Sequence, residues 1–416
     1  MLDLKIDSQR LQRELDFLAS MSDCPEPPPA VTRVVFTATD LRAREYLASL
    51  YSDAGLVVRV DGIGNTFARW LGSEREAAAI GTGSHADAIP HAGMYDGTVG
   101  VLGGLEAIRA LQRSGFQPKR SIELLMFTSE EPTRFGIGCS GSRAMSGALS
   151  SDQLCNLVDE VGDNYDIVRQ RAGFSGSLDR LRLPNDYYHA WLELHIEQGP
   201  ELERLGTDIG IVTAIAAPAS LVFTIHGQGG HAGAVLMPIR RDALCAAAEM
   251  ISMIENEARA SRSRDLVATV GKLDVHPGAV NSIPSRVRFT LDIRDIDEGN
   301  RDQVIAAIRR EVATIGERRR VEVHIECKNS DPPAIANSKI IDAIEQACET
   351  GKVSQQKMIS RAYHDSLFMA RVAPIGMIFI PCRDGLSHRP DEYSSPEQIR
   401  IGVEVLARSL AALSET

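Results

Sequence analysis

The stretch GTGSHADAIPHAGMYDGT (81–98) decides the fold of this chain. The small and apolar run that leads into it, AAAIGTGS (77–84), is typical of a buried strand that ends at His85. A loop rich in proline and glycine then leads to Asp96, where a helix is predicted to begin. A histidine after a buried strand and an aspartate at the next helix start can face the crevice in which open α/β sheets carry their chemistry. The sequence therefore predicts half of a two-metal site.

The same arrangement recurs further along the chain. SIELLMFTSEE (121–131) and WLELHIEQGPELE (191–203) are apolar strands followed by ionisable residues, and a buried strand within 357–390 ends near His388. Charged groups in such places are costly to bury unless they are paired or bind metal. Three histidines and three acids result: His85, Asp96, Glu130, Glu131, His195 and His388. They fit two divalent ions bridged by one carboxylate, although structural histidines and a solvated glutamate pair would give the same pattern.

The chain is long enough for two domains. After Thr213 the pattern changes to a β-α-β-β-α-β order, which suggests a separate α+β domain. We therefore predict an α/β fold with a mixed, largely parallel sheet flanked by helices, built from 1–212 and 331–416, and an inserted α+β domain at 213–330. Edge strands and a helix make that inserted domain a surface for a symmetric homodimer. PEPPPA (25–30) is predicted to be a loop.

Composition excludes several classes of partner. Lysine and arginine number 45 against 56 acidic residues, a net charge of −11, which argues against a nucleic-acid partner. Apolar runs fall short of the ~20 residues that span a bilayer, and the amphipathic N-terminus lacks a signal-peptide core. The seven cysteines include no CxxC pair, which is typical of reduced thiols. These features predict a cytoplasmic enzyme with no membrane partner.

Five longer motifs carry a family resemblance. GSHADAIPHAGMYDGTVGVLGG, FTSEEPTRFGIGCSGSR, HIEQGPELE, GGHAGAVLMP and DGLSHRPDEYSSPE resemble the di-metal amidohydrolases, which include N-carbamoyl-L-amino acid hydrolases, allantoate amidohydrolases and ureidoglycolate amidohydrolases. These enzymes lie within the wider metallo-aminopeptidase/carboxypeptidase superfamily. HAGAVLMP, HPGAVNSIP and GMIFIPC are most similar to the plant-type ureidoglycolate enzymes. The other members usually carry HAGTTPM and SGAGHD where this chain has HAGAVLM and SRAYHD.

The resemblance implies a role for each acid and histidine. It makes His85, Asp96, Glu131, His195 and His388 metal ligands, with Asp96 bridging both ions, and it leaves open which ion each terminal ligand serves. Glu130 would be the general base. Asp87 would hold His85 through the second ring nitrogen, with a loop cap as the alternative role.

The resemblance also implies substrate contacts. His231 and Asn281 of the inserted domain would stabilise the oxyanion, although a histidine in a glycine-rich turn can also be structural. Arg294 would grip a substrate carboxylate, or else form a surface salt bridge with Asp292 or Asp295. The remaining implied contacts are Gln198, with the ureido group, and Arg361 and Tyr363, with the rest of the substrate.

The resemblance thus implies hydrolysis of the ureido C–N bond of a small ureido acid, with (S)-ureidoglycolate of purine catabolism as the first candidate. Glyoxylate, ammonia and CO₂ would be the products. Two divalent ions per subunit are implied, Mn²⁺ first, with Zn²⁺, Co²⁺ or Ni²⁺ as alternatives. The resemblance further implies a homodimer in which domain closure completes the site, with the inserted domain as a lid. The alternatives are an N-carbamoyl-L-amino acid hydrolase, an allantoate amidohydrolase, a peptidase, and a non-catalytic binding relative.

Overall fold

The computed structural model describes residues 2–24 and 30–416. Most of the loop predicted at 25–30 therefore lies outside the described residues. The chain forms two compact units. The first unit comprises the described residues up to Ala214, Ile335–Ser360 and His364–Thr416, and the second comprises Ile215–Ala334 and Arg361–Tyr363. Within these described parts, no helix is both long and apolar enough to cross a bilayer.

The strands alternate with helices over most of the chain. The strands are β1 (Val31–Arg33), β2 (Val57–Val60), β3 (Thr66–Trp70), β4 (Ala79–His85), β5 (Ala88–Ala92), β6 (Ile122–Phe127), β7 (Tyr188–Ile196), β8 (Ile209–Ile215), β9 (Ala217–His226), β10 (Gly230–His231), β11 (Val267–Thr269), β12 (Leu273–His276), β13 (Ser282–Ile283), β14 (Arg286–Asp295), β15 (Glu322–Ser330), β16 (Ala334–Ile335), β17 (Gln355–Ser360) and β18 (Ile375–Ile380).

The helices cover the sheets of each unit. They are α1 (Ser8–Ser20), α2 (Ala38–Asp53), α3 (Thr98–Arg113), α4 (Ser140–Ser146), α5 (Ser151–Asn156), α6 (Tyr165–Arg171), α7 (Glu201–Leu205), α8 (Ala243–Arg259), α9 (Glu298–Arg319), α10 (Ser338–Gly351), α11 (Asp365–Met369) and α12 (Pro396–Ser414). Short 3₁₀ turns lie at Leu178–Arg180, Met237–Ile239 and Arg383–Gly385.

The first unit is built on a mixed sheet in the order β16-β8-β18-β7-β4-β6-β3-β2, with β17 paired to β8. Its centre, β18-β7-β4-β6, is parallel, and the neighbouring pairs β18–β8, β6–β3 and β3–β2 are antiparallel. The central strands are apolar and almost fully buried because helices cover the sheet, as in other α/β folds. The predicted fold class is confirmed.

Helix α3 lies unusually close to this sheet. A Cβ at Gly100 would meet the carbonyl oxygen of Leu194 and the side chain of Ser84, and one at Gly104 would meet Leu124. Glycine weakens a helix by about 1 kcal/mol relative to alanine, so its presence here reflects this close approach. The consequence is that the start of α3, which follows Asp96, lies against the ends of β4 and β7.

The second unit is an antiparallel sheet in the order β11-β14-β9-β15, with β12 also paired to β14. Helices α8 and α9 pack together over it, and the rings of Phe223 and Phe289 stack with centroids 4.6 Å apart in its core. A separate two-stranded ribbon pairs β10 with β13. The unit spans 215–334 where the sequence predicted 213–330, and it also takes in 361–363, which the prediction placed with the first domain.

Candidate metal centre

The carboxyl ends of the parallel strands meet at one edge of the first unit's sheet. The predicted ligands and the predicted general base, Glu130, come from this edge: His85 is the last residue of β4, Glu130 and Glu131 follow β6, His195 is the last residue but one of β7, His388 follows β18, and Asp96 precedes α3. We call these six residues the candidate metal centre. Five are buried, whereas 47% of the His388 side chain is exposed. The sheet thus collects side chains that lie up to 303 residues apart in the sequence.

Asp96 lies at the middle of the candidate metal centre. Its Oδ1 is 3.5 Å from Nε2 of His85 and 3.2 Å from Nε2 of His195. Its Oδ2 is 3.2 Å from Nε2 of His388, whose Nε2 is also 3.5 Å from Oε1 of Glu131. The two oxygens of one carboxylate therefore face two different sets of ligand atoms, as a bridging ligand requires.

Two groups with metal-binding spacing share this aspartate. His85, Asp96 and His195 form one, and Asp96, Glu131 and His388 form the other; within each, the ligand atoms lie within 4.8 Å of one another. Imidazole nitrogens and carboxylate oxygens without a thiolate suit Zn²⁺ and Mn²⁺. The donor set therefore fits a pair of divalent ions. A further group of this spacing, Glu193, His195 and His364, lies beside the first.

The charges of the cluster also favour a cation. Burial, and after it the charge of Asp96, raises the pKa of Glu131 to about 7. Burial and the neighbouring Glu131 raise the pKa of Glu130 well above its usual value, against the opposing charge of His85. The pKa of Asp96 falls well below its usual value, since contacts with three histidines outweigh its burial. Bound cations would relieve the repulsion between these carboxylates.

Backbone carbonyls orient two of the histidines. Nδ1 of His85 lies 3.0 Å from the carbonyl oxygen of Asp87, and Nδ1 of His195 lies 2.9 Å from that of Ile196. Since a carbonyl oxygen can only accept, each Nδ1 donates to it, and Nε2 is then the ring nitrogen that would bind an ion. The Asp87 carboxylate oxygen is 3.8 Å from Nδ1 of His85. The hydrogen bond of this ring nitrogen therefore goes to the carbonyl of Asp87, while the carboxylate of the same residue lies at ion-pair distance from it.

The Asp87 carboxylate instead holds the backbone of the two glutamates. Its oxygens accept the N–H groups of Glu130 and Glu131, at 3.2 and 3.1 Å. The thiol of Cys139 donates to Oε1 of Glu130 at 3.5 Å, while Oε2 lies 3.7 Å from Nε2 of His85. One oxygen of Glu130 is thus anchored and the other faces the candidate metal centre.

A further carboxylate, that of Glu392, lies behind Asp96 and was not predicted from the sequence. Oε1 of Glu392 accepts the N–H groups of Tyr95 and Asp96, and its Oε2 accepts the hydroxyl of Ser387. Gln198, expected at the ureido group, donates from Nε2 to Oδ2 of Asp96 at 2.7 Å. The only sequence signal for Glu392 and Ser387 was their place in the DGLSHRPDEYSSPE motif. Their partners lie 291 to 297 residues away, which no local pattern reveals.

The remaining predicted residues belong to the second unit. His231 and Asn281 lie together where β10 pairs with β13, since the Ala232 N–H donates to the carbonyl of Asn281. The Gly233 N–H donates to Nδ1 of His231 at 3.1 Å. This ring nitrogen therefore accepts, which places the imidazole proton on Nε2.

Arg294 forms an ion pair with Asp292, which is one of the two alternative partners predicted from the sequence. Its Nε lies 2.6 Å from Oδ1 of Asp292, and its guanidinium also contacts the carbonyl of Arg361 and, at 5.3 Å from the centroid, the ring of Tyr363. Arg361 in turn pairs with Asp265 at 2.8 Å. Arg294, Arg361 and Tyr363 thus form one contact group within the second unit.

Known proteins resemble this chain along nearly its whole length. Residues 81–412 match the family described as Peptidase family M20/M25/M40. The chain is 52% identical over 417 residues to the ureidoglycolate hydrolase of Oryza sativa subsp. japonica, covering 98% of this chain and 85% of that protein. It is 39% identical over 415 residues to the N-carbamoyl-L-amino acid amidohydrolase of Geobacillus stearothermophilus, covering 99% of each.

Solved structures agree with these similarities. The crystal structures of AtUAH in complex with glyoxylate and with (S)-hydroxyglycine share 50% sequence identity with this chain. Each superposes with a TM-score of 0.92 and covers 99% of this chain and 98% of its own. The similarity thus extends over both compact units.

Proposed function

The chain belongs to the Peptidase family M20/M25/M40, and from that premise we propose that it hydrolyses the ureido C–N bond of a small ureido acid. Ureidoglycolate is the proposed substrate, since relatives at 50–52% identity are ureidoglycolate hydrolases. The observation that carries the proposal is the pair of ligand groups that share Asp96, with Oε2 of Glu130 beside them, 3.7 Å from Nε2 of His85. Loss of ammonia would leave a carbamate, whose decay gives CO₂, a second ammonia and glyoxylate.

Enzymes of this family use divalent metal ions. We propose two ions per subunit, Mn²⁺ first and Zn²⁺, Co²⁺ or Ni²⁺ as alternatives. His85 and His195 would hold one ion, Glu131 and His388 the other, and Asp96 both. Such ions, when bound, polarise the carbonyl and make water acidic, which a ureido group needs because its two nitrogens deactivate the carbonyl.

Glu130 is the proposed general base. Its Oε2 takes a proton from the attacking water and later delivers it to the leaving nitrogen, while Oε1 stays on the Cys139 thiol. General-base catalysis of this kind contributes about 10²–10⁴-fold in rate. Asp87 keeps Glu130 in place by accepting its backbone N–H.

His231 and Asn281 are proposed as oxyanion donors, on the basis of their sequence motifs. The contact of Gly233 with Nδ1 supports a donor role for His231, because the free proton is then on Nε2. Arg294, Arg361 and Tyr363 are proposed to bind the carboxylate end of the substrate. For Arg294 this requires that substrate compete with Asp292, whose ion pair already uses the guanidinium.

Gln198 is proposed to bind the ureido group through its carbonyl oxygen. Its Nε2 is fixed on Asp96, and its buried Oε1 has no hydrogen-bond partner among the described residues. An unpaired buried acceptor costs about 1–3 kcal/mol, so a substrate N–H that reaches it would gain that interaction.

A substrate panel tests the proposed function. We expect the purified protein with added Mn²⁺ to release ammonia from ureidoglycolate, with kcat/KM at least tenfold above that for allantoate or N-carbamoyl-L-amino acids. Glu130→Gln is the matched control for contaminating activity. Faster turnover of an N-carbamoyl-L-amino acid would move the assignment to the activity named for the Geobacillus relative. No turnover of any ureido compound would refute it.

We also propose a homodimer formed through the second unit, and a cytoplasmic location. Leu236, Met237 and Ile239, which follow β10, are 61–73% exposed and would be covered in a dimer. All seven cysteines are free, in keeping with a reducing compartment. Light scattering would measure the oligomeric state, and a monomer at all concentrations would contradict the dimer. Recovery of activity in mixed His231→Ala and Glu130→Gln protein would show that subunits share a site.

A further inference from the structure

Glu392 connects the two chain segments that carry Asp96 and His388. Its side chain is 4% exposed. Oε1 accepts the N–H groups of Tyr95 at 2.9 Å and Asp96 at 3.0 Å, and Oε2 accepts the Ser387 hydroxyl at 2.7 Å. Each of these three hydrogen bonds therefore goes to a residue next to or within the candidate metal centre.

Ser387 extends the connection to the bridging carboxylate itself. Its hydroxyl oxygen lies 3.0 Å from Oδ2 of Asp96, the oxygen that faces His388. A hydroxyl has one proton, so it can donate to only one of Glu392 and Asp96 at a time. The same Oδ2 also accepts from Gln198. The orientation of Oδ2 thus depends on a hydrogen-bond network. Glu392 holds this network through the backbone N–H groups of Tyr95 and Asp96 and through the Ser387 hydroxyl.

The backbone of Gly93 packs closely against the Glu392 side chain. A Cβ at Gly93 would collide with Cβ, Cδ and Oε1 of Glu392. The backbone φ of Gly93 is not in the left-handed region, so conformational freedom does not explain this glycine. Close approach of the 93–96 loop to Glu392 does explain it.

We propose that Glu392 is a positioning residue that sets the two oxygens of Asp96 toward the two ligand groups and so controls the affinity for divalent ions. The inference rests on the metal site of the proposed function. Groups that orient metal ligands change metal affinity by about 10–100-fold when they are removed. The second group, Asp96 with Glu131 and His388, should be affected more, because Ser387 contacts Oδ2.

Calorimetric titration of chelator-treated protein with Mn²⁺ tests the proposal without reference to activity. We expect Glu392→Ala to weaken the binding of at least one of the two ions about 10–100-fold. Glu392→Gln should stay within about threefold of wild type, since its amide oxygen can accept the backbone N–H groups and its NH₂ can donate to Ser387. Ser387→Ala should give a smaller loss than Glu392→Ala, because the backbone contacts remain.

Gly93→Ala should displace Glu392 without removing a polar group. It tests the same role if Glu392→Ala does not fold. It should weaken Mn²⁺ binding, whereas Gly271→Ala, with open space around its Cβ, should not. Glu106→Ala controls for loss of a buried carboxylate, since Glu106 binds the Asp7 N–H, Arg10 and Arg113 instead.

The outcomes separate this inference from the proposed function. If wild-type protein bound no Mn²⁺, both would be refuted. If wild type bound two ions, and Glu392→Ala and Gly93→Ala bound them as tightly, only the positioning role would be refuted. A lower melting temperature in Glu392→Ala with unchanged Mn²⁺ affinity, as expected for Glu106→Ala, would show a purely structural role.

Discussion

Replacing Asp365 by asparagine should make the stability of the protein less dependent on pH. Asp365 begins α11 and is fully buried; its Oδ1 accepts the Ser142 hydroxyl, and its Oδ2 has no hydrogen-bond partner within the described residues. Burial, and after it the charge of Glu193, raises the pKa of Asp365 from 3.8 to about 8. At neutral pH the folded protein therefore carries a neutral acid here, which asparagine imitates in shape and charge.

The sign and size of the effect follow from proton linkage. Because the folded-state pKa is the higher one, the folded protein binds an additional proton between the two values. Each unit of pH in that window then lowers the free energy of unfolding by about 1.4 kcal/mol. The stabilising contribution of the protonated Asp365 is fully present below about pH 4 and is lost as the pH rises to about 8. Asparagine does not titrate. The free energy of unfolding of Asp365→Asn should therefore rise by about 3 kcal/mol relative to that of wild type when the pH is raised from 5 to 7.

Urea unfolding at pH 5, 6 and 7 in the presence of chelator measures this difference. The exposed Asp342→Asn in α10 is the matched control, and its difference from wild type should stay constant across the series. A constant difference between Asp365→Asn and wild type, or one that shrinks as the pH rises, would refute the reasoning. A constant difference would mean that Asp365 is already ionised in the folded protein at pH 5.

Three further predictions concern the candidate metal centre. Glu130→Gln should lower kcat about 10²–10⁴-fold while calorimetry still finds two ions, and loss of an ion would contradict its role as base. Removing metal with a chelator should abolish activity. It should also lower the free energy of unfolding by about 3 kcal/mol relative to protein with free ion at 100 times its Kd. An unchanged midpoint of urea unfolding would contradict a resident metal. Cys139→Ala should lower kcat about fivefold at unchanged KM, because it removes one hydrogen bond of about 1 kcal/mol, and Cys139→Ser should restore kcat. Equal kcat values in wild type and both variants would contradict the anchoring of Glu130.

The sequence was sufficient for the fold class and the family, both of which are confirmed. The reason is that parallel strands such as β4, β6 and β7 are continuous apolar runs, and their ends are marked by ionisable side chains. Once the strands are recognised as neighbours, His85 and His195 must lie at one edge. The assignment of these residues as metal ligands stays a prediction.

The contacts that orient those ligands could not be predicted from the sequence. His85 is held by the carbonyl of Asp87, and backbone carbonyls exist at every position, so side-chain types do not reveal which one is used. Glu392 was missed because its partners at Tyr95 and Asp96 come from the other end of the chain. The prediction also placed Arg361 and Tyr363 with the first domain, because a three-residue excursion into another unit leaves no change in composition.

Burying the side chains of the candidate metal centre lowers the stability of the fold, and this loss is itself an argument for bound cations. Burial and like charges raise the pKa of Glu130, Glu131 and Glu392, and only Asp96 is held ionised by histidines. The backbone is strained beside these groups as well, since three non-glycine residues have left-handed φ angles: Ser129 (58°), Gln198 (56°) and His388 (60°). Unpaired buried charge costs several kcal/mol, and apolar side chains of similar volume would cost less. A pair of divalent ions would offset this cost by neutralising the carboxylates, so the stability of the first unit should rise with ion concentration in a way that a purely structural polar cluster would not show.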